Sequence, residues 1–183
     1  MPIEIEKKYR LTKKQRELIL QRLPAIGATS QGEEFEENTL YRGDVLDVGR
    51  RVLRLRRVAD RAILTYKARF PSSSAIKRQR EDETRVSDAE AMDAILAALG
   101  FTPALVYEKR RATWRLAETE IALDELPFGL FMEIEGTEAD IRKIEQQLAI
   151  KGLRAENATY PQLTKRHGKR YGAVIEARFK EDK

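Results

Sequence analysis

Polar and apolar residues alternate with a period of two along much of the chain. Near the N-terminus Ile3 and Ile5 alternate with Glu4, Glu6 and Lys8. Successive side chains of an extended strand point to opposite faces, so the two acids and the lysine share one face. The alternation returns at Val52–Val58, where Arg54 and Arg56 oppose Leu53 and Leu55, and at Ala62–Ala68, which carries Lys67. Residues 51–69 therefore read as a hairpin turning at Asp60-Arg61. Phe101–Leu116 places Lys109 and Arg111 on one face, and Ile121–Leu126 carries Asp124. In Leu130–Gly136, Glu133 and Glu135 repeat the acid-apolar-acid spacing of Glu4 and Glu6. Glu33–Tyr41 also reads as extended. Ile76–Val86 is almost wholly polar: Glu81, Glu83 and Arg85 face one way and Arg80, Asp82 and Thr84 the other, so both faces must meet water or charge. Gly43-Asp44, Asp47–Gly49 and Pro71–Ser74 read as loops.

Helical spacing appears between these strands. Thr12 to Gln15 has the spacing of a capping box, followed by a stripe of Leu18, Ile19 and Leu23 that Pro24 and Gly27 close. Ser87 to Glu90 repeats the capping pattern ahead of Met92, Ile95, Leu96 and Leu99, with Gly100 as the stop. Thr137–Ile150 predicts a third helix burying Ile141, Ile144 and Leu148, and Thr159-Tyr160-Pro161-Gln162 opens a short fourth.

The expected fold is a single α+β domain spanning residues 1–168, with a basic C-terminal tail, 169–183, ordered in part. At 183 residues and 42% hydrophobic content the chain can bury one sizeable core. Charged residues make up 36%, against about 25% in ordinary globular domains. That excess needs a location. Glu4, Glu6, Glu81, Glu83, Asp124, Glu133 and Glu135, with Lys8, Arg54, Arg56, Lys67, Lys109 and Arg111, all sit on strands at alternate positions. Two arrangements accommodate them. They can form a solvated sheet exterior. Alternatively the sheet closes into a barrel, with the charged faces lining a polar lumen and the helices covering the apolar outside.

The second arrangement has definite chemistry. Seven carboxylates exceed what ion pairing requires, and packing them without cations is costly. Clustered hard oxygens suit magnesium or manganese, which bind through carboxylates together with substrate phosphates. Arginine and lysine suit phosphate oxygens. The net charge of +5 favours anionic partners, but the 30 acidic residues are spread throughout, which weighs against nucleic acid. The absence of cysteine excludes disulfides and thiolate chemistry. No apolar run reaches the length of a membrane span and no signal-peptide pattern is visible, so a cytoplasmic protein without a membrane partner is expected.

Glu4-Ile5-Glu6-Lys7-Lys8 resembles the ExExK signature of the CYTH superfamily, the triphosphate tunnel metalloenzymes. The likeness runs from Glu4 to about Leu163, through Leu53-Arg54-Leu55-Arg56, Leu64-Thr65-Tyr66-Lys67, the Glu81/Glu83 pair, Glu108-Lys109-Arg110-Arg111 with Trp114, Leu123-Asp124, Phe131–Glu135 and Thr159–Leu163. It implies a closed eight-stranded antiparallel β-barrel with surrounding helices, whose tunnel holds a triphosphate. It also implies that Lys8, Arg54, Arg56, Lys67, Lys109 and Arg111 hold phosphate oxygens. By the same likeness Glu4, Glu6, Glu133 and Glu135 bind a first Mg2+ or Mn2+, with Asp124 and Glu81 or Glu83 near a second. Glu4, Glu6 and Lys8 are then the residues closest to catalysis. Two departures stand out: Gln79 occupies a position where many relatives are basic, so Arg78 or Arg80 would substitute, and Leu40–Asp44 is a loose version of the family's aromatic-acid strand end.

The resemblance spans triphosphatases, acting on inorganic tripolyphosphate or an organic triphosphate, and class IV adenylyl cyclases, which make cyclic AMP and pyrophosphate. Some cyclase-type relatives lack the second acid of the Glu-Ile-Glu strand; Glu135 is present here and tilts the expectation towards hydrolysis. A non-catalytic binder of polyphosphate or nucleotide is the remaining alternative. The expected partner is a triphosphate-containing small molecule, and the chain is expected as a monomer or homodimer. Trp114 and Phe131 read as packing residues and His167 as a surface one. Lys165, Lys169 and Arg170 either close a tunnel mouth or belong to a mobile basic tail.

Overall fold

A computed structural model describes residues 3–46, 50–70, 76–150 and 152–180. Pro2, the loops expected at 47–49 and 71–74, and the last three residues of the tail lie outside them. In chain order the elements are β1 (Ile3–Leu11), α1 (Lys13–Ala25), β2 (Thr29–Arg42), β3 (Arg51–Val58), β4 (Arg61–Arg69), β5 (Ile76–Val86), α2 (Ala89–Ala98), β6 (Thr102–Leu116), β7 (Thr119–Leu126), β8 (Gly129–Glu135), α3 (Glu138–Gln147), α4 (Tyr160–His167), β9 (Lys169–Tyr171) and β10 (Val174–Ala177).

The strands pair in the order β2-β3-β4-β5-β1-β8-β7-β6, and β6 pairs back onto β2. Eight antiparallel strands therefore close a barrel with four helices around it. Its register explains the charge alternation. Lys8 stands opposite Glu133, Glu6 opposite Lys77, Lys67 opposite Glu81, Lys109 opposite Glu36 and Arg111 opposite Asp124. Acid and base meet on one face of the pleat, and that face is the lumen.

The outward faces of β1, β7 and β8, and of β3 with the end of β2, are largely apolar and covered. Ile121, Leu123, Met132 and Ile134 of β7 and β8 pack with Tyr9 of β1 beneath Ile19 and Leu23 of α1 and Ile141 and Ile144 of α3. Leu53, Leu55 and Tyr41 pack beneath Leu96 of α2. Local chemistry fixes the helix ends. Thr12 and Thr159 both complete capping boxes, with Gln15 and Gln162. The α2 cap falls one residue later than expected, because the Asp88 side chain, not Ser87, accepts from the Ala91 amide. The α2 stripe is only partly used: Leu96 is buried, while Ile95 and Leu99 are 52% and 68% exposed. One helix face suffices to cover the short patch of β3 and β4 below it.

The fourth helix has a different task. The lumen-facing rows run out into Leu40, Leu105, Leu126 and Phe131, and α4 seats Tyr160 and Leu163 against them. It plugs one end of the barrel. Beyond it the basic tail enters the sheet: β10 adds parallel to the first half of β6, with Ile175 opposite Leu105 and Ala177 opposite Tyr107, and β9 adds to β10.

Candidate active site

The lumen holds a cavity of about 610 Å³. Twelve of the thirteen charged residues singled out in the sequence line it; the exception is Asp124. Strand parity brings them together: most come from alternating stretches whose other face is largely apolar, while Glu81 and Glu83 share one face of the polar β5.

Near the α4 plug the lining is basic, and its acids are already paired. Glu36, 1% exposed, lies 3.1 Å from Lys109 Nζ, 3.6 Å from Arg56 Nε and 4.0 Å from Arg111 Nε. Burial works against its ionisation, but the Lys109, Arg56 and Arg111 cations hold its carboxyl well below the usual range. Asp124 is fully buried. It accepts two bonds from Arg111, at 2.7 and 2.6 Å, and one from the Tyr160 hydroxyl at 2.7 Å. Asp124 thus sits beneath the bases, sharing Arg111 with Glu133 and Lys109 with Glu36. Glu133 accepts from Arg111 at 2.5 Å and lies 3.6 Å from Lys8 Nζ. Despite burial, Lys8 and Arg111 keep it ionised to well below the ordinary carboxylate pKa.

Lys8 is 2% exposed, and its ammonium sits 4.0 Å from the centre of the Tyr160 ring. Burial pushes its pKa down to about 8, with Glu133 opposing. Burial likewise lowers that of Lys109. Arg54 donates to Thr65 at 3.2 Å and lies 3.9 Å from Glu81. The Nε atoms of Arg54, Arg56 and Arg69 are buried without a hydrogen-bond acceptor among the described residues. Buried donors of this kind are costly unless something accepts from them.

The other part of the lumen is acidic and unbalanced. Glu4 accepts from Lys67 at 2.9 Å and from the Gln79 amide at 2.7 Å, and Lys67 also reaches Glu81 at 2.7 Å. Burial and a hydrogen bond with Glu81 raise the Glu4 pKa, while the same bond and Lys67 outweigh burial and lower that of Glu81. Glu6 pairs with Lys77 at 3.3 Å, and Thr65 donates to Glu83 at 3.2 Å. Glu135 has no hydrogen bond or ion pair through its side chain among the described residues. That side chain is open to lumen water but ringed by protein. Burial and the nearby Glu4, Glu120 and Glu81 carboxylates push its pKa up to about 8.

Among the described residues no three carboxylates converge as a preformed metal cluster. Glu4, Glu6 and Glu81 are turned towards Lys67, Lys77 and Gln79. The donor set nevertheless fits a hard divalent cation: all oxygen, crowded together, and with the Glu4 and Glu135 pKa values raised by burial, a shift that a bound cation would oppose.

Arg78 and Arg80 do not replace the missing base at position 79, because they pair with Glu138 and Asp82. The lumen bases supplied instead are Lys77 and Arg69. Glu36, Arg69, Lys77, Tyr107, Glu120 and Tyr160 are site residues that the alternation pattern does not mark. Parity with Lys67 could have found Arg69, and parity with Glu81 could have found Lys77; Glu36 hides in a run of acids where no alternation stands out. Lys165, Lys169 and Arg170 are absent from the cavity wall, and exposed His167 stacks on Phe128 with centroids 5.6 Å apart.

The family model of the CYTH domain matches residues 2–161. The chain belongs to the CYTH family. No curated protein matches it in sequence. Among solved structures it is similar to the PH1012 protein of Pyrococcus horikoshii, at 26% identity and TM-score 0.75 over 86% of this chain and 96% of that one. It is also similar to HpAC1 of Hippeastrum, a candidate adenylyl cyclase in which a triphosphatase activity dominates. That match has 21% identity and TM-score 0.68 over 94% of this chain and 99% of that one. An adenylate-cyclase-like protein of Vibrio parahaemolyticus matches at 21% identity and TM-score 0.69 over 88% and 97%. CYTH tunnel proteins are typically enzymes that act on triphosphates and depend on divalent metal. No helix among the described residues is long and apolar enough to cross a membrane.

Proposed function

We propose that the protein is a metal-dependent triphosphatase that hydrolyses inorganic tripolyphosphate or an organic triphosphate within its tunnel. The observation that carries this reading is the division of one lumen into two parts. Next to the plug stand buried guanidinium donors without acceptors; away from it stand carboxylates without enough cations. A triphosphate with its divalent cation satisfies both.

In this reading Arg54, Arg56, Lys109, Arg111 and Lys8 hold phosphate oxygens, with Lys67 and Arg69 continuing the row. Glu4, Glu6, Glu133 and Glu135 would hold Mg2+ or Mn2+, with Glu81 and Glu83 beside them. Asp124, engaged by Arg111 and Tyr160, orients bases and does not ligate metal. When bound, the metal supplies charge neutralisation and an acidified water. The chain supplies positioning: hydrolysis needs phosphates held in line with a water and no nucleophilic side chain. Plugging by α4 keeps bulk water away from the basic end, where each ion–phosphate contact is strengthened by the low dielectric.

The test is a product assay. Purified protein is given tripolyphosphate, ATP or thiamine triphosphate with Mg2+ or Mn2+, and orthophosphate, pyrophosphate and cyclic AMP are measured. Orthophosphate is expected from every triphosphate that is hydrolysed, matched one for one by pyrophosphate when tripolyphosphate is the substrate. Cyclic AMP as the main product from ATP would replace this reading with the cyclase one.

A further inference from the structure

The family match ends at residue 161, so β10 and the residues after it lie beyond the matched region. Strand β10 delivers Arg178 and Phe179 onto the outer face of the β2–β6 pair, the contact that closes the barrel. Across that seam Glu37 stands directly opposite Glu108. Like charges in directly opposed positions push strands apart. Arg178 bridges them: its Nη1 lies 2.5 Å from Glu37 and 3.0 Å from Glu108. The Phe179 amide also donates to Glu108, at 2.6 Å.

These outer residues are the chain neighbours of the inner ones. Glu37 follows Glu36, Glu108 precedes Lys109, and Arg57, 3.7 Å from Glu37, follows Arg56. Neighbours in a strand project from one short backbone segment to opposite faces. A shift of β2 against β6 that relieves Glu37 and Glu108 outside therefore separates Glu36 from Lys109 inside. The inner pair, at 3.1 Å, is the shorter of two ion pairs that aim the Lys109 ammonium, the other being to Asp124 at 3.7 Å.

We propose that Arg178 is a positioning residue that neutralises Glu37 and Glu108 and so holds the closing seam in the register that Glu36, Arg56 and Lys109 need to grip phosphate. For its ligand the proposal rests on the triphosphatase reading above. The C-terminal segment is then a clasp on the barrel, and its role lies in substrate affinity more than in turnover.

The test combines tripolyphosphate kinetics with hydrogen exchange of β2 and β6 amides in the wild type, Arg178→Gln and Arg178→Gln/Glu108→Gln. The single variant is expected to raise KM about five-fold with kcat within about two-fold, and to speed exchange along the seam. The double variant is expected to return both to near wild type, because the directly opposed pair across the seam is gone. Glu37 keeps Arg57, and Glu176, which Arg178 also holds at 2.6 Å, lies on β10 outside the seam. Loss of a merely structural contact would not be repaired by a second loss. Unchanged KM and exchange in Arg178→Gln, or changes that Glu108→Gln does not reverse, would overturn the proposal. If the wild type fails to hydrolyse tripolyphosphate with Mg2+ or Mn2+, the functional reading falls, and exchange alone decides the clasp: faster in the single variant and restored in the double upholds it, any other pattern overturns it.

Discussion

Asp124 and Glu135 sit on adjacent strands of one barrel and meet opposite surroundings. Asp124 is enclosed and takes hydrogen bonds from Arg111 and Tyr160, with Lys109 3.7 Å away. Glu135 faces Glu4, Glu81 and Glu120 and gains no ion pair among the described residues. Sequence alone gives the two the same appearance, an acid on an alternating strand. Their environments suit them to different work: one acid fixes the geometry of cations, and in the proposed reading the other helps to hold the metal. The tunnel is therefore preorganised at its basic end and left with crowded carboxyls short of cation partners at its acidic end.

The largest expected effect falls on the acidic end. Glu4→Ala should cut triphosphate hydrolysis by on the order of 100- to 1,000-fold, read as phosphate release, while circular dichroism shows the barrel still folded. Lys67 keeps Glu81 as its partner in that variant, so no buried cation is stranded. Full activity would move the metal site elsewhere.

At the basic end the effect should appear as stability. Asp124→Asn leaves Arg111 and Lys109 short of a buried counter-charge, and unfolding in denaturant should show a loss of about 3–5 kcal/mol. Tyr160→Phe keeps the ring over Lys8 but removes the hydroxyl that Asp124 accepts from, at an expected cost of about 1–3 kcal/mol in the same experiment. The smallest effect carries the opposite sign. Above about pH 8, where Glu135 must ionise beside Glu4, Glu120 and Glu81, Glu135→Gln removes that cost and should slightly raise the thermal midpoint of metal-free protein, while weakening the stabilisation that added Mg2+ provides. If Asp124→Asn and Glu135→Gln shifted stability in the same direction, the contrast between the two acids would collapse.

Much of this is legible in the chain. Period-two alternation on β1, β3, β4, β6, β7 and β8 defines which side chains share a face, and register then only has to bring the faces together. What alternation cannot convey is which acid meets which base. Glu36 and Glu37 are equivalent in sequence, yet one is buried among three cations and the other lies on the outer seam. The difference arises from the long β2–β6 pairing, a contact between distant parts of the chain. The plug is equally hidden. Leu40, Leu105 and Phe131 look like ordinary strand apolars, and only barrel closure turns them inward to receive Tyr160. The tail reads as basic and ordered only in part, but Val174–Ala177 pairs with β6 because β7 leaves that half of the strand's edge open.

Phosphate release from tripolyphosphate by the wild-type protein, followed as Mg2+ or Mn2+ is titrated in and then removed with a chelator, tests the division of the tunnel most directly. Release should be absent without metal, rise to saturation as metal is added and vanish again on chelation. Release that is indifferent to the chelator, or absent at every metal concentration, would contradict the account.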